Sequence, residues 1–282
     1  MGSLKKITAP QITGYKSKGR KVVMITAYDA TFARLAEAGG ADMVLVGDSL
    51  GMVVQGHDST LPVTLDDVIY HCRAVSRGLS RAHLVGDMPF MSYKVSRQQA
   101  LENAARLVQE GRVESVKLEG GLDVADQVAA LTSAGIPVVG HVGLLPQSVH
   151  AVGGFKLQGR TAVDRVRILE DAKALVQAGA FCLVLESIPL ELAAAITSEV
   201  PVPTIGIGAG PHCDGQVLVI YDMLGMNEGF EPRFLKTYAP LGRTIREAVA
   251  AYADEVREGV FPGPEHSTSL SESKSEALPL YG

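Results

Sequence analysis

Residues 83–119 read HLVGDMPFMSYKVSRQQALENAARLVQEGRVESVKLE, and the reading of this stretch decides the fold. It opens and closes on short apolar runs, 83–87 (HLVGD) and 114–119 (ESVKLE), with no strict alternation, as expected of strands covered on both faces. Between them Leu101, Ala104, Ala105 and Val108 recur at the i, i+3, i+4, i+7 spacing of an amphipathic helix, and Ser96 with Gln99 makes a capping box at its start. Strand, helix and strand in that order form a βαβ unit with a right-handed crossover and parallel strands.

The same unit recurs in both directions along the chain. Further strand-like runs are 22–27 (VVMITA), 42–47 (DMVLVG), 137–141 (PVVGH), 180–186 (AFCLVLE), 203–207 (PTIGI) and 217–221 (VLVIY). Helices are expected over 123–134, stopped by Gly135, and over 162–178, stopped by Gly179; Thr64 is the expected N-cap of another, with Asp58, Asp66 and Asp67 left to loop or capping roles. Alternation of this kind gives either an open doubly wound sheet or a closed ring, and eight strands favour the ring, a TIM (β/α)8 barrel of the α/β class. The gap from Ile207 to Val217 leaves little room for a helix, so either a turn replaces it or one boundary is displaced.

The 282 residues, 46% hydrophobic and 20% charged, suit one such barrel of ~250 residues. A single catalytic domain is expected over 1–261, followed by a Ser-, Glu- and Pro-rich tail, 262–282, with too few apolar residues to order itself firmly. A net charge of -5, from 26 basic and 31 acidic residues, provides no broad positive surface for nucleic acid. Cys72, Cys182 and Cys213 include no C-x-x-C pair, so buried thiols in a reducing compartment are expected rather than disulfides or zinc. The N-terminus lacks the apolar core of a signal peptide and no run reaches the ~18 residues of a membrane span. A soluble, cytoplasmic protein is expected.

Four acids carry the functional argument. Asp48, Asp87, Glu119 and Glu186 each sit at or just past the C-terminal end of a different strand-like run, and in a parallel barrel those ends converge on one mouth. Hard oxygen ligands without a histidine cluster select Mg²⁺, and a 2-oxo acid would chelate it well. A single Asp after a strand is more often a helix N-cap than a ligand, but acids on adjacent strands make that coincidence harder to sustain. Lys117, two residues before Glu119, shares its inward face and could hold a substrate carboxylate or form a structural ion pair. His141 closes strand five as a candidate hydrogen-bond donor to substrate, against the commoner role of a structural histidine. Glu186, at the end of an apolar run, is the candidate for proton abstraction, and a salt bridge within the mouth is its plain alternative. The glycine-rich 206–210 (GIGAG) suits an anion-binding loop or a tight turn equally and is no dinucleotide fingerprint, since Pro211 follows.

With those residues in view, the chain resembles the ketopantoate hydroxymethyltransferase family. The likeness is carried by TAYDATFARLAEAGGADMVLVGDSLGMVVQGHDSTLPVTLDDVIYH, GDMPFMSY, VKLEGG, GHVGLLPQ, GGFKLQGR, LVLE and GIGAGPHCDGQVLVIYDMLG, in matching order from about Thr8 to Phe261, which leaves almost no space for a cleaved presequence. The resemblance implies a barrel like those of phosphoenolpyruvate mutase and isocitrate lyase. It implies one Mg²⁺ per subunit on Asp48 and Asp87, with Glu119 in the same metal environment. Asp48, Ser49, Asp87, Lys117 and His141 would bind the substrate 3-methyl-2-oxobutanoate, and Glu186 would accept its C3 proton. The Mg²⁺-stabilised enolate would then attack the one-carbon unit of 5,10-methylenetetrahydrofolate to give 2-dehydropantoate, the first step towards pantothenate. A homo-oligomer, a decamer, is implied as well. No residue that contacts the folate is legible.

Two other readings compete. A Mg²⁺-dependent lyase or mutase of the same barrel type would share the acids and an enolate, but the Lys-Lys-Cys-Gly-His-like catalytic stretch of those lyases is missing. A catalytically silent, metabolite-binding barrel would be favoured by loss of Asp48, Asp87, Lys117 or Glu186, and all are present.

Overall fold

In a computed structural model that describes residues 5–269, eight parallel strands close into a barrel in sequence order. They are β1 (Val22–Thr26), β2 (Met43–Val46), β3 (His83–Asp87), β4 (Ser115–Glu119), β5 (Val138–Gly143), β6 (Cys182–Glu186), β7 (Thr204–Ile207) and β8 (Gly215–Leu218). Pairing of β8 with β1, from Val22↔Gly215 to Ile25↔Leu218, closes the ring.

Two apolar layers hold the barrel together. Inside it Met24, Met43, Val85, Val139, Val184 and Val217 pack on one another, and Ile7, Ile12 and Tyr15 plug the end where the strands begin. His83, at the start of β3, fixes that plug through its Nδ1 contact with the Ile7 carbonyl at 3.1 Å. Among the described residues this plug leaves the C-terminal ends of the strands as the open mouth of the interior. Outside, Val44, Leu84, Val116 and Leu183 face the helices. Burying each such side chain contributes ~1.5–3 kcal/mol. All three cysteines are free and buried.

The helix between β3 and β4 spans Arg97–Gln109, and its buried line is Ala100, Ala104 and Leu107. Leu101 and Val108 flank that line half-buried, so the stripe lies one residue away from its expected centre. Ser96 caps the helix by accepting from Gln99 N, but Gln99 Oε1 accepts from Val95 N, so the reciprocal half of the expected box moves back one residue. Thr64 forms a full capping box with Asp67, and Asp66 pairs with Arg106 at 2.7 Å. The expected helix over 123–134 begins as a 3-10 turn, Leu122–Val124, and continues as Ala125–Ser133; the other runs Ala162–Gln177. Gly135 and Gly179 follow them with positive φ.

Strand eight starts earlier than its apolar run suggests. A Cβ on Gly215 would meet Val22 O at 2.4 Å, so glycine allows the closing strand to approach β1. The run expected over 217–221 leaves the sheet after Leu218, and Ile220–Met223 is helical, with Ile220 N donating to Thr26 Oγ1 at 3.0 Å. Between β7 and β8 there is only a turn, in which Gly208 and Gly210 take positive φ.

The helix Leu241–Arg257 behaves differently from the rest. It has no buried residue, and Ile245, Val249, Tyr252 and Val256 lie exposed along one face. Its first turn is tied back by Leu241 N to Leu224 O and Gly242 N to Gly225 O. The outer face of the β1–β8 seam is open too, with Val23 52% exposed beside the exposed Gln216. Of the expected tail, 262–269 is largely exposed and includes the 3-10 turn Pro264–His266, while 270–282 lies outside the described residues. Among the described residues no helix is long and apolar enough to cross a membrane.

Candidate active site

Every residue assigned to the site on sequence lines one cavity of about 1340 Å³ that takes in the C-terminal mouth and runs along the β1–β8 seam: Asp48, Ser49, Asp87, Lys117, Glu119, His141 and Glu186. Asp48 and Ser49 lie in the turn after β2, and Asp87, Glu119 and Glu186 each end their strand. Parallel register sets Asp87 beside Lys117 and Glu119 beside His141. Side chains that leave the pleat on the inward face at this height must meet, which is why acids far apart in sequence become neighbours.

Lys117 Nζ lies 2.8 Å from Asp87 Oδ1 and 3.9 Å from Glu119 Oε1. The first is a close ion pair without hydrogen-bond alignment, so Asp87 Oδ1 has no aligned donor. Asp87 Oδ2 accepts from Asp48 N at 3.0 Å. His141 bridges two carboxylates, with Nδ1 at 3.5 Å from Glu119 Oε1 and Nε2 at 3.2 Å from Glu186 Oε2. The Glu186 side chain is 19% exposed, so of the four acids it is the one that keeps an open face towards the cavity. Ser49 Oγ is 2.9 Å from the hydroxyl of Tyr28, a buried residue whose phenol burial pushes up.

Charge in this pocket is unevenly shared. Burial raises the Asp48 carboxyl well above the usual range, with Asp87 and Glu119 adding to the effect, against Lys117 and a hydrogen bond from Gln147. Burial raises Asp87 as well, although the Lys117 ammonium opposes it. For Glu119 burial is outweighed by His141 and Lys117, which hold its carboxyl below the usual range. Burial disfavours an ammonium at Lys117, yet Asp87, Glu119 and Asp48 hold its proton more firmly than usual. Burial and Lys117 push His141 down, but Glu119 and Glu186 overcome them and carry it up to about 9. The two carboxylates therefore favour the protonated ring at His141.

The donor set suits a hard divalent cation. Asp48 and Asp87 are adjacent carboxylates, Asp87 Oδ1 is buried without an aligned donor, and Mg²⁺ takes one or two carboxylates together with waters and substrate oxygens. Glu119 lies in the same environment, and its Oε1 is likewise buried without an aligned donor. It also contacts His141, Lys117 and the Gln147 backbone N–H.

Sequence reasoning missed Gln147 and Tyr93. Gln147 follows Pro146 in the loop after β5, and its Nε2 donates to Asp48 Oδ2 at 2.9 Å and to Met88 O at 3.0 Å. The fully buried Tyr93 places its hydroxyl 2.8 Å from Gln147 Oε1 and accepts from Glu119 N. Both residues lie in quoted motifs, GHVGLLPQ and GDMPFMSY, and their signal was a polar group with no evident surface. The 206–210 loop turns tightly: a Cβ on Gly208 would meet Phe234 at 3.2 Å and Ser187 Oγ at 3.3 Å.

The ring, with its acids, lysine and histidine at the mouth, is that of a (β/α)8-barrel enzyme. The same fold is found in a 2,3-dimethylmalate lyase, a member of the phosphoenolpyruvate mutase/isocitrate lyase superfamily, which aligns with a TM-score of 0.59 at 17% identity, over 93% of this chain and 92% of that one. Within that class the chain belongs to the ketopantoate hydroxymethyltransferase family, whose profile matches residues 6–264. A 3-methyl-2-oxobutanoate hydroxymethyltransferase of Pelobacter propionicus is 55% identical over 263 residues, covering 93% of this chain and 97% of that protein. One from Oleidesulfovibrio alaskensis is 56% identical over 268 residues, covering 95% and 92%. The chain is a hydroxymethyltransferase, which displaces the lyase and silent-barrel readings.

Proposed function

We propose that this enzyme transfers a one-carbon unit from 5,10-methylenetetrahydrofolate to 3-methyl-2-oxobutanoate, giving 2-dehydropantoate and tetrahydrofolate at the start of pantothenate formation. The observation that carries this reading is the convergence of Asp48, Ser49, Asp87, Lys117, Glu119, His141 and Glu186 on one cavity. Asp48 and Asp87 would hold one Mg²⁺, which when bound supplies Lewis-acid polarisation of the substrate's carbonyl. Lys117 and Ser49 bind and orient the oxo acid, and Lys117 offers its carboxylate an ammonium that its acidic neighbours keep protonated. Glu186 Oε2 takes the C3 proton, and the His141 imidazolium holds that carboxylate towards the cavity. C3 then forms its bond to the methylene carbon, water supplies the hydroxyl, both C–N bonds of the methylene bridge break, and the two folate nitrogens end with the C3 proton and one proton of the water.

The enzyme would work in the cytoplasm as a homo-oligomer, and the resemblance points to a decamer. An uncovered apolar helix face and an uncovered β1–β8 seam support assembly, because a second copy would remove both from water.

C3 hydrogen–deuterium exchange of 3-methyl-2-oxobutanoate, followed by NMR with and without Mg²⁺, tests the chemistry. Metal-dependent exchange that turns into 2-dehydropantoate formation when methylenetetrahydrofolate is added is the expected result. No exchange in folded, metal-loaded protein would remove Glu186 and the cation from these roles.

A further inference from the structure

We propose that Gln147 is a positioning residue for the divalent cation, holding Asp48 by one oxygen and linking it to Glu119. This rests on the reading of Asp48 and Asp87 as the cation's ligands. Gln147 is buried, and its whole amide is engaged. Nε2 has two protons, and it donates to Asp48 Oδ2 and to the Met88 carbonyl. Oε1 faces the Tyr93 hydroxyl, and the backbone N–H donates to Glu119 Oε2 at 3.1 Å.

The chemistry of the neighbours fixes which way the amide points. A backbone carbonyl can only accept, so turning the amide over would face Oε1 against Met88 O, whereas the Tyr93 hydroxyl, also 2.9 Å from Glu119 O, can donate or accept. The Met88 carbonyl therefore sets the orientation, and it directs an N–H at Asp48.

The result is a repeated pattern on the two carboxylates. Asp48 Oδ2 is tied back by Gln147, and Asp87 Oδ2 by the Asp48 backbone N–H. In each case Oδ2 is anchored by a neutral donor; Asp87 Oδ1 faces the Lys117 ammonium at 2.8 Å, whereas no ammonium or guanidinium lies against Asp48 Oδ2. A neutral donor orients the Asp48 carboxylate without cancelling its charge. Hydrogen bonds to ligating groups of this kind are worth ~10–100-fold in metal affinity.

The test is Mn²⁺ binding to the full chain, measured by electron paramagnetic resonance, for the parent, Gln147→Leu and Tyr93→Phe, with thermal unfolding of each protein recorded without metal. The expected result is a Kd weakened by ~10–100-fold in Gln147→Leu and by less in Tyr93→Phe, where only the amide's anchor is lost. A residue that merely braces the loop would lower the unfolding temperature and leave the Kd of the folded fraction unchanged, and that result overturns the inference. If Gln147→Leu does not fold, Tyr93→Phe decides alone: parent-like Mn²⁺ affinity there overturns the inference. A parent protein that binds no Mn²⁺ overturns the cation reading and this inference with it, whereas equal binding by parent and variants overturns this inference only.

Discussion

His141 Nε2 stands 3.2 Å from Glu186 Oε2 while its Nδ1 stands 3.5 Å from Glu119 Oε1, so one ring joins the open carboxylate of the mouth to the buried one. Because those acids lift His141 from an ordinary 6.5 to about 9, its proton is bound more tightly in the folded chain than in the unfolded one. The stability this contributes is fully present below about 6.5 and is lost as pH rises through about 9. Urea unfolding across that window should show the parent losing stability relative to His141→Gln. A constant difference between the two from pH 6 to 10 would leave the imidazolium without support.

Lys117 is the one ammonium among Asp48, Asp87 and Glu119. Removing one partner of a buried ion pair costs ~3–5 kcal/mol, because uncompensated charge is left behind. Lys117→Met is therefore expected to unfold at lower denaturant by about that amount. Millimolar Mg²⁺ should recover part of the loss, since a cation bound to Asp48 and Asp87 replaces some of the missing charge. Denaturation curves with and without Mg²⁺ measure both effects, and a variant as stable as the parent would contradict the burial argument.

Glu186 should separate binding from proton transfer. Its carboxylate contacts His141 but none of the other acids, so Glu186→Gln keeps the shape of the mouth and removes only the base. General-base assistance contributes ~10²–10⁴-fold, and C3 exchange should slow by a factor in that range while oxo-acid binding, followed by calorimetry, is retained. Exchange at the parent rate would assign the base elsewhere.

The barrel was legible because its strands are covered on both faces and read as plain apolar runs, and the acids were legible because each ends such a run. What escaped had a different physical origin. Gly215 begins β8 for a steric reason, close approach to Val22 O, which propensity does not register; the apolar 217–221 run instead carried the expected strand into the turn that Thr26 caps. Gln147 and Tyr93 act by filling hydrogen bonds of distant groups, a relation that exists only once β3, β4 and β5 lie side by side. Glu119 was grouped with Asp48 and Asp87 by strand order, while its pairing with His141 follows from a register that only the closed sheet sets.

Gly215 therefore provides a direct test of ring closure. A methyl group there would meet Val22 O at 2.4 Å and Val22 C at 3.1 Å, and neither backbone contact can yield without moving a strand. Gly215→Ala should cost ~1–3 kcal/mol, the usual range for overpacking, read as a lower urea midpoint. An unchanged midpoint would mean the seam is looser than the pairing of Val22 with Gly215 indicates.

The helix Leu241–Arg257 offers the last test, and its argument is one of exposure. Ile245, Val249, Tyr252 and Val256 recur at helical spacing on one face, and all are exposed in a single chain, as is Val23 on the seam. Polar substitution of a solvated face changes little, within ~0.5 kcal/mol, whereas a charge placed in a buried interface is strongly unfavourable. Ile245→Glu with Val249→Glu should thus reduce the mass measured by light scattering from that of an oligomer to that of one chain, while β1 to β8 stay folded by circular dichroism. If the doubly substituted protein keeps the parent's mass, this face does not hold the copies together.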